Sequence, residues 1–239
     1  MISFETLLSQ LPQDVFTLAE GVLDRSVTDF QLLCNRIAGC SESELQILQP
    51  VFYVHLNPDR VPVKSIPAAT TDIELARWSL TGIVTTLGNI DVHSEKRCLL
   101  SAWNCVVPWL LFFHNQFIMC RANYRPVDRT PVIKLVASIL FHGLIAGRDL
   151  DGNSKLATTP TLCRPIAELW VLAIETKDED VLSVQVPLRD LGHITSLRLV
   201  TTFLVAECMR NESFVTTLLE VSGGIGPFTS AALKTSGWS

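Results

Sequence analysis

The sequence predicts an all-α protein of about ten helices. Apolar residues recur every three or four positions along most of the 239-residue chain, the spacing of one helix face. These stretches begin after residues that favour helix starts and end near glycine or proline. No stretch shows the sustained strict alternation that is typical of half-buried strands. Since no motif recurs at a fixed period, we expect either an irregular armadillo- or HEAT-like solenoid or a compact helical array.

The first 69 residues are expected to hold short helices and then a connector. Helices are predicted over residues 3–10, from Pro12, from Thr28 or Asp29 to Gly39, from Ser41 to Pro50, and over 51–56. Ser41 and Glu44 have the spacing of a capping box, and Pro50 is expected to interrupt the helix that they start. Three prolines predict an extended connector over 57–69. We predict one domain over 1–239, with this connector as a possible point of subdivision.

The centre of the chain is the apolar stretch 98–120. A capped helix from Thr71 to Leu87 precedes it, and no formal charge occurs between Leu99 and Cys120. Pro108 is expected to split the stretch into two helices joined by a bend, because proline removes an amide donor and clashes with the preceding turn. A helix that is apolar all round is buried from several sides or lies in lipid. The predicted structural core is Trp103, Trp109, Phe113, Phe117 and Trp170.

An alternative interpretation places residues 99–120 in a membrane. About 20 uncharged residues are long enough to cross a bilayer. Against this, the span contains the polar residues Ser101, Asn104, His114, Asn115 and Gln116. Such groups would lose their hydrogen bonds in hydrocarbon. We therefore favour a buried pair of helices and expect no membrane, while a membrane-associated helical protein stays the alternative.

The sequence of the second half of the chain predicts four further helices. One restarts at Thr130-Pro131 after a polar linker over 121–129, and another opens at Thr159-Pro160 or Arg164-Pro165. A polar break over 147–159 separates them. A long helix is expected from Leu188 to Met209, and a last one from Asn211 to Gly223-Gly224. Residues 181–186 could form a strand, but we predict a loop.

Composition restricts the classes of function. Charged residues make up 18% of the chain, below the usual ~25%, which is compatible with an apolar face kept for a partner. The net charge is −5 and no basic stripe occurs, so no nucleic-acid surface is expected. Seven cysteines, an odd number, do not form the pattern of a disulfide framework. The N-terminus has no basic region before its apolar residues, so we expect a cytoplasmic or nuclear protein.

No catalytic, cofactor or metal residues are predicted. Asp149, Asp151 and Asn153 have EF-hand spacing, but Pro160 stands where a bidentate glutamate is required. The glycines at 223–226 follow a helix and predict a helix C-cap. The acidic run 175–180 predicts a solvated turn. No two histidines have HxxxH spacing, although a dyad between His114 and a distant cysteine stays possible.

Two segments resemble a known family. The sequence WNCVVPWLLFFHNQFI at 103–118 carries Trp103, Trp109 and Phe112, and LCRPIAELWVLAIE at 162–175 carries Leu169-Trp170-Val171. They are similar to the helical region of fungal proteins that end in a MYND-type zinc finger. The resemblance implies an armadillo-like scaffold; the ligands of the finger are missing, so its zinc-dependent binding is not implied.

The leading hypothesis is a non-enzymatic, intracellular interaction module that binds protein partners. It rests on the series of capped helices, the low content of charged residues and the lack of a complete catalytic motif in the sequence. An enzyme that assembles its site from dispersed residues is the third alternative, after the membrane-associated protein.

Overall fold

The fold is all-α with one β-hairpin, as seen in a computed structural model that describes residues 4–62, 71–89, 92–146, 159–177, 183–188 and 192–235. These residues contain eleven α-helices: α1 Phe4–Leu8, α2 Gln13–Leu23, α3 Val27–Arg36, α4 Glu42–Tyr53, α5 Thr71–Leu87, α6 Val92–Phe113, α7 Pro126–Ala146, α8 Pro160–Glu175, α9 Leu197–Cys208, α10 Glu212–Ser222 and α11 Ile225–Thr235. Strands β1 Ser183–Leu188 and β2 Gly192–Ser196 pair with each other. Asp149, Asp151 and Asn153 lie outside the described residues.

The chain divides into two compact units. The first comprises Met1–Phe112 with Pro187–Leu191, and the second comprises Phe113–Val186 with Gly192–Ser239. One division therefore falls at the end of α6, and residues 57–62, the described part of the connector, lie within the first unit. Residues 58–60, which were expected to be extended, form a 3-10 turn in which Oδ1 of Asn57 accepts from the amide of Asp59 at 2.9 Å. The single domain expected from the sequence stays a prediction.

In the first unit, α3 packs against α2 and α5, and α4 packs against α5. Helices α3 and α4 each start at a serine whose side chain accepts from an amide of the first turn. Ser26 accepts from the Asp29 amide and starts α3, two residues before the predicted start at Thr28. The capping box of Ser41 and Glu44 is confirmed. Stable ends of this kind orient the apolar faces that form the core of the unit.

Gly82 marks the closest approach of α5 to α4. A Cβ atom added to Gly82 would lie 2.5 Å from Cδ1 of Phe52, a fully buried ring that is itself stacked on Phe30 at 5.9 Å. Alanine favours helix over glycine by about 1 kcal/mol, but a ring displaced in a packed core costs about 1–3 kcal/mol. We expect Gly82→Ala to lower the melting temperature. A raised melting temperature would contradict this close packing.

In the second unit, α8 is the central helix. It contacts α9, α10 and α11, while α7 packs against α9. Of the two predicted starts of α8, the one at Thr159-Pro160 is confirmed. Proline fits the first helical position because its missing amide would have no partner there. The buried face of α8 includes Leu162, Ile166, Leu169, Trp170 and Ala173.

Three prolines that were expected to interrupt, split or start a helix lie inside a helix instead. The interruption at Pro50 is wrong, because α4 continues through it. The division of the central stretch into two helices at Pro108 is also wrong, because α6 continues through that residue. The start at Thr130-Pro131 is also wrong, because α7 begins at Pro126. Proline leaves the carbonyl four residues earlier without its amide donor. The residues at those three positions are exposed at the protein surface: Gln46, Asn104 and Val127.

The loop predicted over 181–186 is wrong as well. Residues 183–188 form β1, which pairs with β2, and the helix expected from Leu188 begins at Leu197. Ser183 is exposed and Val184 is buried. Strands of five or six residues are too short to give a clear periodic signal, so the pairing decides the structure.

Candidate functional site

The predicted core residues differ in how deeply they are buried. Trp109 is fully buried in the first unit, and its indole Nε1 donates to the backbone oxygen of Asn57 at 3.2 Å. Phe113 and Trp170 are buried in the second unit. Trp103 and Phe117 are half-buried. The residues that the sequence singled out are therefore wholly or partly interior, and a functional surface has to be sought elsewhere.

The central stretch ends in a π-helical segment, His114–Met119, which the sequence analysis did not predict. π-helical turns are rare and occur frequently at functional sites. His114 is its first residue and is 1% exposed. A buried histidine at an irregular turn is the type of residue that sequence periodicity cannot separate from an ordinary core residue.

His114 forms a polar cluster with residues of α8. Its Nε2 lies 3.3 Å from Oε2 of Glu168, a side chain that is 9% exposed. The other carboxylate oxygen of Glu168, Oε1, accepts from Nε of Arg164 at 2.8 Å. The pair of His114 and Glu168 is at ion-pair distance but is not aligned as a hydrogen bond. We call these three residues the π-turn cluster.

Burial controls the charge of this histidine. Burial lowers the pKa of His114 below its ordinary value, while the charge of Glu168 and the contact of Nδ1 with Oδ1 of Asn115 at 3.4 Å act in the opposite direction. Burial is the largest of these effects, so the imidazole is neutral at pH 7. The cluster can accept a proton on acidification.

The His114–cysteine dyad is not assembled in the described part of the chain, where the polar contacts of His114 are with Glu168 and Asn115. The pKa of Cys34 and that of Cys208 are both raised to about 12 by burial, so these thiols stay protonated and unreactive. Over the same ranges, no group of three or more potential ligand side chains is placed to hold a metal ion.

The glycines at 223–226 cap a helix. Gly223 has a left-handed backbone with φ 83°, and its amide donates to the backbone oxygen of Glu220. The amide of Gly224 donates to the oxygen of Leu219 at 2.7 Å. The predicted C-cap is therefore confirmed.

A second candidate is an apolar surface on α9. Leu199 and Phe203 are each 46% exposed, and Ala206 is also exposed. They stand at positions i, i+4 and i+7, so they share one face of the helix. The opposite face is buried and includes Val200, Leu204 and Cys208. We call Leu199, Phe203 and Ala206 the α9 stripe.

Contacts within the second unit hold the α9 stripe in place. The ring of Phe203 meets that of Phe141 edge-to-face, with centroids 6.2 Å apart. At the start of the helix, Nε of Arg198 donates to the backbone oxygen of Ala173, near the end of α8, at 3.0 Å. The sequence predicted a helix here, but α9 is apolar on more than one side, so its pattern did not indicate which side is exposed.

Comparison with known proteins adds no relative. No helix within the described ranges combines the length and the apolar character needed to cross a membrane. No protein-family model, no curated protein and no solved structure matches this chain.

Proposed function

We propose that the chain is a non-enzymatic α-helical module that binds a protein partner through the α9 stripe. The observation that carries this proposal is the exposure of Leu199 and Phe203, one turn apart on a helix whose other face is buried. A helix face of this kind suits docking against an apolar surface of a partner.

The stripe has two properties that favour binding. Phe203 is already oriented by Phe141, so little side-chain freedom is lost when a partner covers it. Exposed Arg198 and Arg210 lie at the two ends of the helix and supply polar groups at the rim. An apolar centre with a polar rim is typical of protein interfaces.

The resemblance of residues 103–118 and 162–175 to the helical region of fungal MYND-type proteins supports the same proposal. It implies an armadillo-like scaffold, and it stays an expectation because no family model matches. The N-terminal sequence separately leads us to propose the cytoplasm or the nucleus as the location. The solenoid arrangement is likewise part of the proposal.

The proposal is tested with two variants of matched charge. Leu199→Glu combined with Phe203→Glu places two carboxylates in the stripe. Gln31→Glu combined with Asn35→Glu places two carboxylates at the same i, i+4 spacing on an exposed polar face of α3. Both pairs are exposed, so both variants are expected to fold, which circular dichroism checks.

Each variant and the unchanged chain are used to capture partners from native cell extract, with quantitative mass spectrometry. Burial of two half-exposed apolar side chains is worth about 1–2 kcal/mol each, so the α9 variant is expected to retain at least tenfold less of a specific partner. The α3 variant is expected to match the unchanged chain. Equal capture by all three chains, or no specific partner for any, would overturn the proposal.

A further inference from the structure

We propose that the π-turn cluster is an acid-operated latch, in which protonation of His114 releases the π-helical segment from α8. The two sides of the latch are distant in sequence, at residues 114 and 168, and both belong to the second unit. The proposal concerns a conformational response of this unit and does not depend on the α9 stripe.

The geometry explains why the segment is held at neutral pH. The imidazole is enclosed, with 2% of its side chain exposed, and Glu168 faces its Nε2 from α8. A neutral ring occupies this interior at a lower cost than an imidazolium, because burial of a charge costs more than burial of an uncharged polar group. The segment therefore stays packed while His114 is uncharged.

Protonation changes this balance because the carboxylate of Glu168 is already shared. Arg164 binds Oε1 at 2.8 Å, a shorter contact than the 3.3 Å between Oε2 and His114. A new imidazolium would thus compete with a guanidinium for one negative charge inside the protein. Exposure of the ring to water removes that competition, so acid favours the released state.

Among the residues that the structure describes, Glu168 is the charged group that acts on the ring. On the neighbouring 3-10 turn, Arg121 donates to the backbone oxygen of Ile118 at 3.4 Å. On α7, Arg129 donates to the backbone oxygen of Arg121 at 2.9 Å. Arg121 therefore holds the far end of the segment, Arg129 holds the 3-10 turn that follows it, and neither supplies an anion to His114.

The direction of the response follows from proton linkage. Burial sets the pKa of His114 in the packed state below its value in the released state, which is about 6.5. More than about one pH unit above 6.5 both states are neutral and pH has no effect. Below that range the released state binds more protons, so the opening constant rises by up to about tenfold per pH unit until the lowered pKa is passed.

Hydrogen exchange of the full chain tests the response. Opening of the amides of residues 114–119 is measured at pH 7.5 and 5.5, with correction for intrinsic exchange. We expect the opening constant of these amides to rise between pH 7.5 and pH 5.5 in the unchanged chain and to stay the same in His114→Gln. An equal rise in both chains, or no rise in the unchanged chain, would overturn the proposal.

Two further variants keep the test decisive if His114→Gln does not fold. The His114 ring is titrated by NMR in Glu168→Gln and in Arg164→Gln, whose side chain is 67% exposed in the unchanged protein. The first variant removes the anion and is expected to lower the pKa of His114 further. The second frees the anion and is expected to raise that pKa and weaken the acid response. If neither pKa moves, the cluster does not operate as a latch.

Discussion

Replacing Trp109 with alanine is expected to lower the free energy of unfolding by about 3–5 kcal/mol, the usual cost of removing a large aromatic ring from a core. Trp109 is fully buried, and its ring meets Phe112 edge-to-face at 5.9 Å. The variant loses this packing and leaves the backbone oxygen of Asn57 without the indole donor. Urea unfolding followed by circular dichroism measures the change.

Two companion variants separate packing from hydrogen bonding. Trp109→Phe keeps most of the ring volume but loses the donor to Asn57, so a smaller loss of about 1–3 kcal/mol is expected. Trp103→Ala removes a half-buried ring of the same helix and is expected to cost less than half as much as Trp109→Ala. If Trp103→Ala proved equally costly, the burial assigned to these two residues would be contradicted.

Replacing Trp170 with alanine is expected to cost a similar amount, about 3–5 kcal/mol, in the second unit. Trp170 is 3% exposed on the helix that contacts α9, α10 and α11. Its ring lies 5.7 Å from that of Phe228 on α11, at an interplanar angle of 42°. The cavity left by the indole would remove the main aromatic contact that the structure shows between α8 and α11.

A double-mutant cycle isolates that contact. Phe228→Ala alone removes a half-buried ring and is expected to cost less than Trp170→Ala. Because the two rings touch, the costs are expected to be non-additive by about 0.5–1.5 kcal/mol. Unfolding free energies of the two single variants and the double variant provide the measurement. Strict additivity would show that α11 is held by other contacts.

The features that sequence reasoning predicted correctly are local ones. Helical periodicity gave the all-α class, since a helix forms its backbone hydrogen bonds within one segment. The capping box of Ser41 and Glu44, and the C-cap at Gly223, join residues within a few positions of each other. Such contacts are visible in the sequence because chain neighbours are always within reach.

The errors share a different cause. Whether Pro50 or Pro108 breaks a helix depends on whether the carbonyl four residues earlier can reach water, which is a property of the folded surface. The hairpin of β1 and β2 depends on a pairing between two strands that are each too short to recognise alone. In each case the sequence shows which residues are present, but contacts with water or with another segment decide the structure that they adopt.

The candidate sites show the same difference between local features, which the sequence predicts, and contacts between segments, which it does not. The sequence by itself determined that the chain is a helical array rich in buried aromatic residues, because periodicity and caps act over a few residues. Only the tertiary structure decided which side of α9 is exposed, and only it brought His114 next to Glu168, 54 positions later in the chain. The physical reason is that burial and charge pairing arise between segments, and the sequence of one segment does not specify its neighbours.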